Sequence, residues 1–327
     1  PTARQFLWSH HCHHSISEDN STDPSDSHHP LGALRRGGND VCDITLEESN
    51  MSTYEDYSEI SKHYDKTRIP IGGEILLGVL ALSGQPGSEI RLLDAGCGTG
   101  SYSALALPHV GHIDAMDINP GMLAVAREKL ADNTSDAEIT FHQGSVDNMP
   151  FAEACFDAVM FNQMLHHLES GEDDRFDGHR RGLAEAHRVL RSDGLVIVNC
   201  TSYEQLRDGF RHYHLIPTAL RAAHDRCIPA DRLEEILSEL GFALEGRFVP
   251  LDGVLTGSAY FDDEGPLKPE WRKSDSIWKL APEQEIADAE AKIRDLRTSG
   301  GLAAYLAEYD TKRRQVGQTT FFVARKA

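Results

Sequence analysis

The stretch "LLDAGCGTGSYSALAL", residues 92–107, decides the fold. An apolar run ends at Asp94, glycines follow at 96, 98 and 100, and helical spacing takes over. A strand, a glycine-rich turn and a helix in that order put backbone amides at the C-terminal edge of a parallel sheet, where ligands bind. Glycine is needed there if a side chain would meet the ligand or if φ must be positive. The next strand, "HIDAMD", closes on a second acid, Asp117. Dinucleotide loops follow G-x-G-x-x-G so that a pyrophosphate can sit at the helix N-terminus. Here the third glycine comes one residue early and Asp94 stands directly before the loop. A carboxylate is unfavourable beside a pyrophosphate and favourable beside an amine or sulfonium. The loop therefore suits a positively charged ligand without phosphates.

Outward from this loop the chain alternates. "YEDYSEISKHYDKTRIPIGGEILLGVLAL" predicts a helix, a break at Ile69-Pro70 and a second helix through Leu82. "IRLLDAG", "HIDAMD", "EITFHQ", "FDAVMFN" and "GLVIVNC" predict five strands, the last after an Asp-Gly turn. "SYSALALPH", "NPGMLAVAREKLAD" (with Pro120 in its first turn) and "GLAEAHRVL" predict helices between them. After Cys200, "YEQLRDGFRHYHLIPTALRAAH" and "ADRLEEILSELG" predict helices, "FALEGRFVPL" a sixth strand and "TTFFVARK" a closing strand. The expected fold is α/β: a Rossmann-like, seven-stranded, mostly parallel sheet with helices on both faces and a helical insertion before the last strand. The expected organisation is a tail over 1–50, a main domain over 53–251 and 319–327, and an insertion over 252–318 that caps a substrate.

Composition narrows the function. The 52 Asp and Glu against 32 Lys and Arg give a net charge of -20, which argues against nucleic acid as partner. No run reaches the roughly 18 apolar residues of a membrane span. The 6 cysteines are scattered without paired spacing, which predicts reduced thiols in a cytoplasmic protein. No secretory signal is visible, and the start at Pro1 leaves open an organelle leader removed upstream. "HHCHH" (His10, His11, Cys12, His13, His14) crowds its ligands on an irregular segment, whereas structural zinc sites use two separated pairs. It reads as tail, and no metal site is expected.

The series "LLDAGCGTG…AMDINPGML…GSVDNMPF…FDAVMFNQMLHHL…HRVLRSDGLVIVN" resembles the motifs of class I S-adenosylmethionine-dependent methyltransferases over about 92–200. It is similar in style to the small-molecule group that includes ubiquinone- and menaquinone-biosynthesis enzymes. The resemblance implies S-adenosylmethionine as cofactor. The loop from Asp94 to Gly100 would embrace its methionine portion, with Gly96 and Gly98 nearest. Asp117 would accept both ribose hydroxyls and Ile118 would lie against the adenine. Asp147 would accept from the adenine amino group beside a Val146 main-chain contact, unless it only forms the turn before "NMP". Asn162 lies where the family contacts the methionine amino group through the main chain. Tyr64 and Arg68, in "HYDKTR", stand one helical turn apart and would reach the methionine carboxylate.

Methyl transfer from a sulfonium is an in-line displacement that the cofactor itself activates. A hydroxyl or amine acceptor needs a base, and "NQMLHHL" offers His166 and His167, with Gln163 nearby for the substrate. Adjacent helical residues point about 100° apart, so at most one histidine should face the pocket. A thioether acceptor needs no base. An N/D-P-P-Y/F signature for amide or nucleobase amines is missing, and the thiol set for arsenite is incomplete. "GFRHYHLIP" supplies Arg211, Tyr213 and His214 as substrate-binding residues, alongside aromatics of the insertion; packing within extra helices would explain the same residues. A small anionic or zwitterionic acceptor, such as an osmolyte precursor, fits this mixture. A nicotinamide-dependent oxidoreductase and a non-catalytic cofactor-binding regulator are the competing readings. The sequence leaves the oligomeric state open.

Overall fold

The computed structural model describes residues 69–327 except 134, 169–174 and 225. The expectations for the 1–50 tail, the histidine cluster at 10–14, Tyr64 and Arg68 lie outside the described residues.

Seven strands form one sheet: β1 Arg91–Ala95, β2 His112–Asp117, β3 Glu138–Gln143, β4 Phe156–Asn162, β5 Leu190–Cys200, β6 Phe242–Phe248 and β7 Thr320–Lys326. Their order is β3-β2-β1-β4-β5-β7-β6. β1 to β5 pair in parallel, and β7 runs antiparallel to both β5 and β6. Strand alternation buries both faces. Leu92, Ala158, Met160, Leu195, Ile197, Phe321 and Val323 point to one side. Leu93, Val159, Phe161, Val196, Val198, Phe322 and Ala324 point to the other.

Each face receives helices. α1 Gly73–Ala81, α2 Ser101–Ala106 and α3 Pro120–Leu130 cover the first through Leu76, Leu80, Ala106 and Leu130. α4 Asp177–Val189 and, later in the chain, Ala230–Glu239 cover the second through Leu183, Ala186, Leu233 and Ile236. α3 starts as its sequence demands. Pro120 occupies the first turn, and the Asn119 side chain caps it by accepting from the Gly121 and Met122 amides.

Two expectations change. The helix expected from Tyr203 to His224 is broken into α5 Tyr203–Asp208, a 3-10 turn at Tyr213–Leu215 and α6 Pro217–His224. Gly209 packs so closely that a Cβ there would stand 2.4 Å from the Gly317 carbonyl, and Pro217 disfavours helical backbone at Ile216. The Asp-Gly pair expected before β5 lies inside it. Asp193 takes a left-handed φ of 62°, and the register against β4 shifts between Phe156 and Ala158.

In chain order, α7 Ala230–Glu239 is followed after β6 by α8 Pro269–Lys273, α9 Glu283–Thr298 and α10 Leu302–Val316. α8 and α9, through Trp271 and Ala289, share a core with Leu206, Phe210, Tyr213, Ile216, Leu255 and Trp278, while Leu302 and Leu306 of α10 pack with Ile293 and Leu215. Residues 201–224 and 252–318 thus pack together as one region beside the sheet, here termed the cap. Among the described residues no helix is long and apolar enough to cross a membrane.

Candidate functional site

Parallel pairing brings the turns after β1, β2, β3 and β4 to one edge of the sheet. The glycine loop after β1 is fastened to β2 by its own backbone. The Gly96 and Cys97 amides both donate to the Met116 carbonyl, at 2.8 and 2.9 Å, and the Gly98 amide donates to Asp117 Oδ2 at 2.8 Å. The Gly100 amide donates to the Cys97 carbonyl. These four amides are therefore directed inward, where a pyrophosphate would have needed them directed out.

The three glycines differ in purpose although all have positive φ. A Cβ on Gly96 would come within 2.9 Å of Met164, and one on Gly100 within 3.2 Å of Ala126 in α3. Those two allow close packing. A Cβ on Gly98 would meet nothing within 4 Å, so this position faces open space.

Two carboxylates flank that space. Asp94 is buried and accepts from Ser103 Oγ at 2.6 Å, while its Oδ1 has no hydrogen-bond partner. Burial pushes its carboxyl up to about 7; Ser103 and Asn162 ease the charge and Asp117 adds repulsion. Asn162, at the end of β4, also carries a buried Nδ2 without a partner. Asp117 accepts the Gly98 amide on one oxygen and the Asn119 amide on the other, at 2.8 Å each. Each oxygen keeps a second lone pair. Burial raises the Asp117 carboxyl as well. Burial and both acids push the Cys97 thiol well up, so it stays protonated and is no nucleophile. Negative charge beside open space suits a cation.

The remaining expected cofactor residues line the same edge. Ile118 exposes its side chain directly after Asp117. Val146 is buried in the core, which leaves its main chain to the turn. Asp147 sits in the turn closed by Asn148 on Ser145; it accepts from Ser145 Oγ and pairs with Arg181 at 3.8 Å.

Other expected residues are occupied within the protein. Gln163 has a left-handed φ of 52° and a fully used amide. It donates to Asn199 Oδ1 at 3.1 Å and Thr319 Oγ1 at 2.6 Å, and accepts from Thr201 at 3.0 Å. Gln163 thereby ties the end of β4 to β5 and to the start of β7. His166 and His167 lie in a 3-10 turn with ring centroids 4.0 Å apart. The two rings therefore sit side by side, contrary to the expected divergence.

In the cap, Tyr213 donates to Asp275 Oδ2 at 2.7 Å and stacks on Phe210. Arg211 donates to Asp263 at 2.7 Å. His214 contacts Tyr305 Oη at 2.8 Å and stacks on Tyr309 at 3.5 Å. These contacts knit the 201–224 segment to the insertion.

Sequence reasoning missed Ser103, Tyr102 and Asn199. Ser103 is one turn into α2 on the face towards the sheet, a placement legible from its spacing to the loop. Tyr102 Oη accepts from Asn199 at 2.9 Å and donates to the Ile71 carbonyl at 3.0 Å, a long-range arrangement with no local signal.

Residues 93–198 match a family model described as methyltransferase domain. A demethylmenaquinone methyltransferase from Clavibacter sepedonicus is 30% identical over 145 residues, 43% of this chain and 55% of that protein. A ubiquinone/menaquinone biosynthesis C-methyltransferase from Methylobacterium nodulans is 29% identical over 159 residues, 46% of this chain and 60% of that protein. The chain thus spans little more than half the length of the curated relatives it matches. A solved structure from Anabaena variabilis, assigned as a methyltransferase of an antibiotic biosynthesis pathway, covers 80% of this chain and all of its own at a TM-score of 0.60 and 20% identity. That likeness is one of fold.

Proposed function

We propose that this chain, whose residues 93–198 match a methyltransferase-domain family model, is a class I S-adenosylmethionine-dependent methyltransferase that transfers the methyl group to a small-molecule acceptor. One observation carries the reading: the Gly96, Cys97 and Gly98 amides turn to β2, and the open side of Gly98 lies next to the half-buried Asp117 carboxylate, whose charge acts on the buried Asp94. A cationic, phosphate-free cofactor fits that donor set, whereas a nicotinamide dinucleotide does not.

Asp94 and the neighbouring Asn162, which eases its charge, fit the amino group of a methionine portion. Asp117 has lone pairs left for two ribose hydroxyls, and its orientation is fixed by the Gly98 and Asn119 amides. Ile118 offers an apolar surface to an adenine ring, with Asp147 and the Val146 main chain at its edge. The cofactor supplies the activated methyl group. The chain's part is to align the acceptor and exclude water. For an oxygen or nitrogen acceptor, His166 or His167 takes the proton; for a thioether neither is required. The acceptor class we favour is a small acid or amino-acid-derived metabolite, such as an osmolyte precursor, selected by the cap.

Calorimetry with S-adenosylhomocysteine and with NAD tests the reading. Micromolar binding of the first alone supports it, and binding of NAD alone sinks it.

A further inference from the structure

Away from the glycine loop, buried polar atoms without partners gather in the cap. They are Arg211 Nε, His212 Nε2, His214 Nδ1 and Trp278 Nε1. Arg211, His212 and Trp278 are 7, 3 and 1% exposed. Buried donors left empty are rare in folded proteins, and several in one region call for a ligand or ordered water. Three of the four are linked through a shared neighbour or by the electrostatic effect of Arg211 on His212. His212 and Trp278 both stand edge-on to Trp271, at centroid distances of 5.3 and 5.7 Å, and Arg211 precedes His212 in the chain.

We propose that Arg211, His212 and Trp278 form a buried site for a small monocarboxylate, and, resting on the methyltransferase reading, that it holds the carboxylate of the methyl acceptor.

The chemistry of the atoms selects the ligand. Guanidinium Nε–H and indole Nε1–H can only donate, so they require an acceptor. Burial and the neighbouring Arg211 push the His212 imidazole down to about 3, which leaves it neutral at pH 7 and able to donate one N–H. Arg211 is paired at one edge only: its Nη2 donates to Asp263 Oδ1 at 2.7 Å, and its guanidinium lies over the Tyr260 ring at 5.1 Å. The next buried cation, Arg313, is committed to Asp310 at 2.9 Å and to the Leu251 carbonyl at 2.6 Å. An arginine edge with its Nε–H free and further donors beside it match a planar acceptor such as a carboxylate. A phosphate dianion would lack counter-charge, and a neutral carbonyl would leave the arginine edge underused. The cap also reaches the loop: the Ile71 side chain packs in the cap core with Tyr213 and Trp278, while its carbonyl accepts from Tyr102 at the start of α2.

Trp271 and Trp278 are two of the chain's 3 tryptophans, so intrinsic fluorescence reports on the site. The full chain is titrated with propionate, propionamide and inorganic phosphate at constant ionic strength. The expected result is a saturable change with propionate that is at least tenfold weaker with either control. Arg211→Lys, which keeps the charge beside Asp263 but loses Nε–H, should weaken propionate at least tenfold; His212→Phe should weaken it independently. An equal response to propionate and propionamide overturns the proposal, as does no response to propionate in protein whose circular dichroism is native. S-adenosylhomocysteine binding is measured on the same samples. If it fails while propionate binding persists, the methyltransferase reading falls and the carboxylate site stands; the reverse outcome removes the carboxylate site alone.

Discussion

The Gly98 amide donates to the Asp117 carboxylate at 2.8 Å, so the loop after β1 and the end of β2 form one rigid unit. Asp117 thereby has two tasks. It anchors the loop and, with its remaining lone pairs, presents a negatively charged edge to the space beside Gly98.

Asp117→Ala removes both tasks. Affinity for S-adenosylhomocysteine should fall about 100-fold or more, since hydrogen bonds to a charged group contribute roughly 1.5–3 kcal/mol each. Asp117→Asn, which keeps one acceptor, should fall in between. Isothermal calorimetry decides; unchanged affinity in the alanine variant removes the ribose assignment.

Gly98→Ala separates binding from folding. The left-handed φ of 53° costs an alanine about 1–2 kcal/mol, but its Cβ meets nothing within 4 Å. Tm should drop by only a few degrees while S-adenosylhomocysteine affinity drops at least tenfold, because the methyl group projects into the cradle. A thermal melt and a binding curve on the same sample measure both.

The pH dependence follows from Asp94. Its carboxyl titrates near 4 in the unfolded chain and at about 7 in the native one, because it is buried. The native protein therefore holds a proton that the unfolded chain lacks between about pH 4 and 7. Native stability from this group declines across that window and is level above it. A ligand ammonium favours the ionised form, so S-adenosylhomocysteine binding near pH 6 should release a proton. Calorimetry in buffers of different ionisation enthalpy detects the release, and Asp94→Asn should abolish it.

In the cap, Tyr213→Phe leaves Asp275 Oδ2 without its donor, though the Ile277 amide still holds Oδ1 at 2.9 Å. The cost should be about 1–3 kcal/mol, seen as a lower Tm, with S-adenosylhomocysteine affinity within about twofold of the parent. A large affinity loss would make Tyr213 part of the cofactor site.

Most of the sheet was legible because each strand is a short apolar run with a clear end. Leu92 and Leu93 point to opposite faces, yet both sides are buried, so an unbroken apolar run is what a central parallel strand requires. Asp94, the glycines and Asp117 were legible for a related reason: they sit at fixed offsets from strand ends. What failed was long-range. Nothing near Gly209 announces the close approach of the Gly317 carbonyl, and nothing near Gln163 announces Thr319, 156 residues away. Arg211 and His214 gave no local sign of what they pair with. Their partners Asp263 and Tyr305 come from a distant part of the chain that the fold brings back.

The central claim is methyl transfer to a small molecule. The direct measurement is incubation of the protein with methyl-labelled S-adenosylmethionine and a metabolite extract, followed by mass spectrometry of the low-molecular-mass fraction. The account predicts a labelled small-molecule product that the Asp117→Ala protein does not form. Label that remains on the cofactor, in protein that binds S-adenosylhomocysteine, would contradict it.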